Sequence, residues 1–268
     1  RESKWPQVSP FTDTVPNSSR FNSGSSDYLN RTPSSASNRK TFTFSFWVKR
    51  TKLGVDNTIY NVRPGGSGAN RINFHSGDSF RVSIEPPSKF IFTTRLFRDV
   101  LAWYHIVVAF DTTQGTAANR VKIYVNGVQE TSLVKGDGGA ASYPDQDSNL
   151  DINTTNVINI GRDLETNSDF IDMYLAEFVF IDGQQLAPTS FGETNSQTGI
   201  WVPKTVTGLT FGTNGFYLDF KDSSALGNDA NGSNNFTVNN LTSLDQSTDT
   251  CTTNFATLNS IRPLPTGF

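Results

Sequence analysis

Apolar and polar residues alternate with a period of two along much of the chain. In "KTFTFSFWVKR" (residues 40–50), Phe42, Phe44 and Phe46 fall on one face of an extended backbone, and the intervening residues fall on the other. This period is typical of a β-strand with one face against a core. We therefore predict a strand here, with an aromatic stripe facing the interior.

The same pattern predicts further short strands, with Gly, Pro, Asn and Asp residues between them. They are "SSDYLNR" (25–31), "NTIYNV" (57–62), "RINFHS" (71–76), "SFRVSIE" (79–85), "KFIFTTRLFRD" (89–99), "VKIYVNG" (121–127), "VINIGR" (157–162), "FIDMYLAEFVFIDG" (170–183) and "GFYLDF" (215–220). Long runs at helical period are absent. Strands at roughly ten-residue spacing without intervening helices predict an all-β sandwich or jelly roll.

One stretch, "WYHIVVAF" (103–110), is apolar on both faces, which predicts a strand in the middle of a packed sheet. The Asn126-Gly127 pair that ends the next strand favours a tight hairpin turn. His105, one of two histidines, lies in the first strand. A catalytic triad would need a serine nucleophile, and no Gly-x-Ser-x-Gly elbow accompanies it. We expect His105 to be an interior scaffolding residue.

Composition excludes several classes of function. The formal net charge is −3 and the Lys and Arg residues are dispersed, which argues against binding to nucleic acid. No apolar run reaches the roughly 20 residues of a membrane-spanning helix. The single cysteine, Cys251, excludes an intrachain disulfide and a multi-cysteine metal site. We expect neither nucleic acid nor a membrane as a partner.

Several segments together resemble a known family. "FTFSFWVKR", "WYHIVVAFDTT" with "RVKIYVNGVQ", and "INIGR" leading to "YLAEFVFIDGQQLAP" are similar to core strands of concanavalin A-like jelly-roll domains of the laminin-G/pentraxin type. "APTSFGETNSQTGIWVPK" and "GTNGFYLDFKDSSALGND" add a likeness to virion proteins of marine tailed bacteriophages, over about residues 25–240. The resemblance implies a jelly-roll β-sandwich with the concanavalin A-like lectin/glucanase fold.

The Pro/Ser/Asn-rich start and the polar end of the chain add two flanking segments to this domain. We expect an irregular N-terminal arm (1–24), the sandwich (25–221) and a polar C-terminal tail (222–268). The tail would lace onto neighbouring subunits or lead to a further module.

An enzymatic role for this fold requires paired carboxylates. Glycoside hydrolases with the fold that the resemblance implies carry Glu-x-Asp-x-x-Glu on one strand, so that an acid and a nucleophile flank the scissile bond. In "DFIDMYLAE", Asp172 and Glu177 are separated by an odd number of positions, and in a regular strand they point to opposite faces. We therefore expect the protein not to be an enzyme.

The resemblance also implies calcium, because related domains bind it through aspartate and asparagine oxygens in their loops. Two loops, "DQDSNLDIN" (145–153) and "DSSALGNDANGSN" (222–234), are rich enough in such groups. The candidate ligands are Asp145, Asp147, Asp151, Asp222 and Asp229. The alternative, which we favour, is that these are solvated turns built on Asp and Asn side chains.

By resemblance, we expect a non-enzymatic structural or adhesive protein on the surface of a tailed-phage virion, such as a fibre, spike or decoration protein. Host-surface glycans would contact an exposed aromatic residue, for which Tyr143 and Trp201 are the candidates. Other virion proteins and further copies of the chain, for example in a trimer, would be its partners, and repetition would raise avidity. The alternatives are a purely structural capsid-cementing or tail-assembly protein and, third, a secreted lectin-like module or glycanase.

Overall fold

Strands dominate the computed structural model, which describes residues 13–63, 68–164 and 169–254. In chain order the strands are β1 (Ser18–Phe21), β2 (Tyr28–Arg31), β3 (Thr41–Arg50), β4 (Asn57–Val62), β5 (Asn70–Phe74), β6 (Ser79–Ile84), β7 (Lys89–Leu96), β8 (Tyr104–Asp111), β9 (Val121–Val125), β10 (Val128–Gln129), β11 (Leu133–Val134), β12 (Ile158–Ile160), β13 (Met173–Asp182), β14 (Gly192–Thr194), β15 (Trp201–Pro203), β16 (Phe216–Leu218), β17 (Thr237–Asn239) and β18 (Gln246–Ser247). Short 3₁₀ turns occupy Ser23–Ser25, Ala117–Asn119, Pro188–Ser190 and Ser243–Asp245. Within the described ranges, no helix is long and apolar enough to cross a membrane.

Two antiparallel sheets form the sandwich. Sheet one has the order β10-β9-β8-β3-β13-β1-β18, with β16 also paired to β13. Sheet two has the order β11-β7-β6-β5-β4-β12-β2-β17, and β14 pairs with β15 as a separate hairpin. The non-sequential neighbours, such as β3 beside β13, are crossovers between distant parts of the chain. The predicted all-β sandwich is confirmed.

The core between the sheets is aromatic. Phe42, Phe44 and Phe46 face it from β3 and are fully buried, as the alternation predicted. The Phe44 ring lies 4.6 Å from the ring of Tyr60 on β4, so this pair joins the two sheets. Aromatic pairs at such distances add to the stabilisation that comes from burial of apolar area.

The other face of sheet one is covered by the segment that follows β13. Val107 and Val179 on the sheet pack in one cluster with Phe191 and Phe211 of that segment. This second, smaller core is the reason why β8 is apolar on both faces. Because residues 186–211 run back across the outer face of sheet one, β15 also lies on this face, where it forms part of the site described below.

Three strands come from segments that the sequence analysis placed outside the sandwich. β1 lies between β13 and β18 in sheet one, and β17 pairs with β2 in sheet two. Val15 connects the arm to the tail: its amide donates to Thr252 Oγ1 (3.0 Å), and its carbonyl accepts from Thr250 Oγ1 (2.7 Å). These strands are short and polar, so they lack the apolar alternation by which strands are predicted.

Candidate functional site

An open cleft on the outer face of sheet one brings three of the four tryptophans together. Trp47 on β3 and Trp103 just before β8 are buried, and Trp201 on β15 is partly exposed and packs against them. The cleft encloses about 450 Å³, a volume in the range of small-molecule sites. The other described lining residues are Asn126, Val128, Thr194, Gly199, Ile200, Cys251 and Asn254. We call this site the tryptophan cleft.

His105 fixes two of these tryptophans from behind the cleft. It pairs with Trp47 across β3 and β8, and their rings stack with centroids 4.8 Å apart. The Trp201 Nε1–H donates to His105 Nδ1 at 3.0 Å. Since Nδ1 accepts, the proton of the neutral imidazole is on Nε2, which donates to Ser45 Oγ at 2.9 Å.

The same geometry excludes His105 as a general base. Burial lowers its pKa to about 3, so the ring is neutral at ordinary pH. Its Nε2 already carries a proton and donates it to Ser45, and so it cannot accept the proton of that hydroxyl. Both residues are buried. His105 is the interior residue that was predicted, and it positions Trp201.

Two glycines allow the Trp201 ring to approach the backbone. A Cβ atom on Gly192 would lie 2.6 Å from Cζ2 of Trp201, and one on Gly127 would overlap the six-membered part of the ring. Asn126 and Gly127 have φ of +48° and +79°, which gives the left-handed conformation of a tight hairpin turn. The predicted Asn-Gly turn therefore also provides the contact surface for Trp201.

We expect Gly127→Ala to displace the Trp201 ring and to weaken ligand binding about tenfold. The alanine would also be strained at positive φ, at a cost of about 1 kcal/mol. Gly138→Ala is the matched control, because Gly138 has φ +83° and open space around an added Cβ. Gly127→Ala should lose more stability than Gly138→Ala in thermal denaturation, because its Cβ also overlaps the Trp201 ring, and only Gly127→Ala should change tryptophan fluorescence. Identical spectra of the two variants would contradict this role of Gly127.

The rim of the cleft combines neutral polar groups with aliphatic side chains. Asn126, Thr194 and Asn254 are exposed polar residues, and the Oδ1 of Asn126 accepts a hydrogen bond from the backbone N–H of His105 at 2.8 Å. Val128 and Ile200 are 65% and 56% exposed. The described lining residues include no carboxylate and no basic side chain. The site can therefore pack against a ring and hydrogen-bond its edge, but the described part of it offers no acid–base pair.

A hydrogen-bonded ion pair holds one wall of the cleft. Asp249 accepts from Trp103 Nε1 at 3.0 Å and from Lys49 Nζ at 2.7 Å. Lys49 also donates to Asn254 Oδ1 at 3.1 Å, and Asn254 Nδ2 donates to the carbonyl of Leu101 at 2.9 Å. This network fixes the chain around Cys251 against the loop before β8.

Family comparison assigns the fold. A family model described as the concanavalin A-like lectin/glucanases superfamily matches residues 23–187, more than half of the 268 residues. The chain belongs to this superfamily. The matched region contains Trp47, Trp103 and His105, whereas Trp201 lies beyond it. No curated protein sequence shows significant similarity to the chain.

Several solved structures of low sequence identity align with the chain. A candidate carbohydrate-binding protein from Bacteroides ovatus aligns over 85% of the chain with 17% identity and a TM-score of 0.53, and the chain spans 59% of that protein. The heptameric SAP-like pentraxin of Limulus polyphemus aligns over 66% of the chain and 80% of its own, with 13% identity and a TM-score of 0.45. Mouse laminin α1 domains LG4-5 align over 78% of this chain and 50% of the laminin chain, with 13% identity and a TM-score of 0.42. Only the first of these alignments has a TM-score above 0.5, and at 17% identity it shows the fold alone.

The two carboxylates considered for a superfamily hydrolase lie in different surroundings. Asp172, before β13, accepts from the backbone N–H (2.9 Å) and Oγ (2.6 Å) of Ser23. Glu177 lies in a β-bulge of β13 with φ +49°, and it accepts a hydrogen bond from the hydroxyl of Tyr217. Neither residue lines the tryptophan cleft.

The five aspartates predicted as calcium ligands form hydrogen bonds or ion pairs with other residues of the chain. Three of them form ion pairs: Asp145 with Lys89 (2.9 Å), Asp147 with Lys40 (3.4 Å) and Asp151 with Arg39 (2.7 Å). Asp222 accepts from Ser224, and the buried Asp229 accepts from the backbone amides of Tyr217, Asn231 and Asn234. In the part of the chain that the structure describes, no three His, Cys, Asp or Glu side chains are grouped to hold a metal ion. Calcium binding stays a prediction.

Of the two aromatic candidates for glycan contact, only Trp201 lies in the cleft. Tyr143 is partly buried and packs against the core between the sheets. Sequence reasoning did not identify Trp47 and Trp103 as site residues. Their position on the outer face of a strand was visible, but the segments that turn this face into a cleft lie far away in the chain.

Proposed function

We propose that the protein is a non-catalytic glycan-binding domain and that the tryptophan cleft is its binding site. The observation that carries this proposal is an open cleft in which the partly exposed indole of Trp201 packs against the buried Trp47 and Trp103, with the exposed polar residues Asn126 and Thr194 in the same lining. A pyranose ring has an apolar C–H face and hydroxyl groups around its edge. Indole rings complement the former, and neutral hydrogen-bonding groups complement the latter. Membership in a superfamily that includes lectins supports the proposal.

Binding is favoured over hydrolysis by the chemistry of the lining. Cleavage of a glycosidic bond needs two carboxyl groups that flank it. The described lining residues include none, and Asp249 next to the cleft already accepts hydrogen bonds from Trp103 and Lys49. We expect that incubation with a bound glycan releases no reducing sugar. Release of reducing ends by the purified protein would contradict the non-catalytic assignment.

We further propose that the domain is displayed on the surface of a tailed-phage virion as a fibre, spike or decoration protein. The support is the sequence resemblance over about residues 25–240. Its partners would be host-surface glycans, neighbouring virion proteins and copies of the same chain, and multiple copies would raise a weak affinity to useful avidity. Mass spectrometry and immunogold labelling of purified particles test this placement. A protein absent from such particles would contradict it.

The lacing alternative has less support from the described residues. Val15 of the arm and Thr250 and Thr252 of the tail bond to one another, and β1 and β18 pair within the chain's own sheet. These parts of the arm and tail therefore make their contacts inside the chain. The glycan-binding proposal takes precedence because a cleft with suitable chemistry supports it.

A glycan array probed with the purified protein, in calcium and in EDTA, tests the proposed function. We expect binding to a defined glycan class that survives EDTA, because the cleft has no carboxylate among its described residues. Loss of binding in EDTA would point to the aspartate-rich loops and would contradict the cleft as the site. If protein shown to be folded binds no glycan on the array, the glycan-binding proposal is overturned.

A further inference from the structure

The charge around the tryptophan cleft indicates which sugars it can take. Lys49, which donates to the lining residue Asn254, has a side chain only 11% exposed and is paired with Asp249 at 2.7 Å. The described lining residues themselves carry no charge. An acidic sugar would lose hydration of its carboxylate or sulfate in the cleft without gaining an ion pair. The cleft therefore disfavours anionic glycans.

The rim adds a preference for apolar groups on the sugar. Val128, on the edge strand β10, and Ile200, just before β15, are exposed residues that line the same cleft as the partly exposed Trp201. A sugar ring that packs on the Trp201 indole would bring its exocyclic substituents to this rim. A methyl group there would bury apolar area against Val128 or Ile200, whereas a hydroxyl group would be desolvated without a partner.

We infer that the tryptophan cleft selects uncharged sugars that carry a methyl group, such as 6-deoxyhexoses and N-acetylhexosamines, over acidic and fully hydroxylated sugars. This inference rests on the proposed function and narrows its substrate class. The Thr194 hydroxyl and the Asn126 Nδ2 group would bond the remaining hydroxyls of such a sugar. Removal of one methyl-sized group from water corresponds to about a fivefold gain in affinity.

Titrations followed by tryptophan fluorescence with matched sugar pairs test the inference. The pairs are L-fucose with L-galactose, L-rhamnose with L-mannose, N-acetylglucosamine with N-formylglucosamine, and glucose with glucuronic acid. We expect the methyl-bearing sugar to bind about fivefold more tightly in each of the first three pairs, and glucuronic acid to bind at least tenfold more weakly than glucose. Equal affinities within the pairs, or tighter binding of the acid, would overturn the inference and leave the proposed function standing. If no sugar at any concentration changes the fluorescence, the proposed function itself fails.

Rim variants test the assignment to Val128 and Ile200. Val128→Thr replaces one methyl group by a hydroxyl of similar size on an exposed strand. Ile200→Thr makes the second aliphatic side chain at the rim shorter and polar. We expect the double variant to reduce the fucose-to-galactose affinity ratio from about fivefold to below twofold. Leu244→Thr is the control, because Leu244 is 86% exposed and does not line the cleft. It should keep the wild-type ratio. A fivefold ratio retained in the double variant would overturn the rim assignment.

Discussion

Replacing Trp201 by alanine is expected to weaken glycan binding at least thirtyfold. Truncation of a central aromatic contact typically costs 2 kcal/mol or more, about thirtyfold in affinity. Trp201 forms one wall of the cleft, and its ring is fixed by the hydrogen bond to His105 Nδ1 and by contact with Gly127 and Gly192. Glycan-array signal and a fluorescence or calorimetric titration of the purified variant measure the loss.

Two further variants separate the binding role of Trp201 from a folding role. Trp201→Phe keeps an aromatic ring and loses the Nε1–H, so it should retain part of the affinity. Leu244→Ala removes an apolar side chain that is exposed elsewhere on the molecule, and it should bind like the wild type. Thermal denaturation should show that all three variants are folded. Wild-type affinity in folded Trp201→Ala would remove the cleft as the binding site.

Glu177→Gln is expected to change the pH dependence of stability by about 3 kcal/mol. Burial raises the pKa of Glu177 from 4.5 to about 7, although the hydrogen bond from Tyr217 opposes this shift. The folded protein thus holds a proton that the unfolded chain releases above pH 4.5. The stability that this proton contributes is fully present below pH 4.5 and is lost as the pH rises through 7. At about 1.4 kcal/mol per pH unit, the total is about 3 kcal/mol.

The glutamine variant lacks this titration and still offers Tyr217 an acceptor oxygen. We expect the free energies of unfolding of the two proteins, measured in denaturant, to be similar at pH 4.5, and the variant to gain about 3 kcal/mol on the wild type by pH 8. His105 contributes equally to both proteins, so it cancels in the difference. A difference that stays constant between pH 4.5 and pH 8 would show that Glu177 is not the raised carboxyl group.

The sandwich was predictable because the alternation of apolar and polar residues shows where the strands lie and which face of each is buried. Phe42, Phe44 and Phe46 showed which face of β3 is buried, and the doubly apolar "WYHIVVAF" identified a central strand. The Asn126-Gly127 turn followed from the backbone conformation that those residue types favour. The interior role of His105 followed from its place in a doubly apolar strand and from the absence of a Gly-x-Ser-x-Gly motif.

The site was only partly predictable because distant segments build it. Trp201 was a candidate by residue type, but the register that brings it next to Trp47 depends on the return of residues 186–211 across sheet one. The bulge at Glu177 breaks the alternation rule that the hydrolase argument used, since the register shifts between Ala176 and Val179. The ion pairs of Asp145 with Lys89 and of Asp151 with Arg39 join positions far apart in the sequence, so residue spacing could not predict them.

Fluorine NMR of protein labelled with 5-fluorotryptophan tests the central claim most directly. Single Trp→Phe variants assign the resonances, and Trp5 lies outside the described residues and the described lining of the cleft. Titration with the glycan that binds best on the array should shift the resonance of Trp201 most and those of Trp47 and Trp103 in parallel. Saturable glycan binding that leaves all three resonances unchanged would contradict the tryptophan cleft as the binding site.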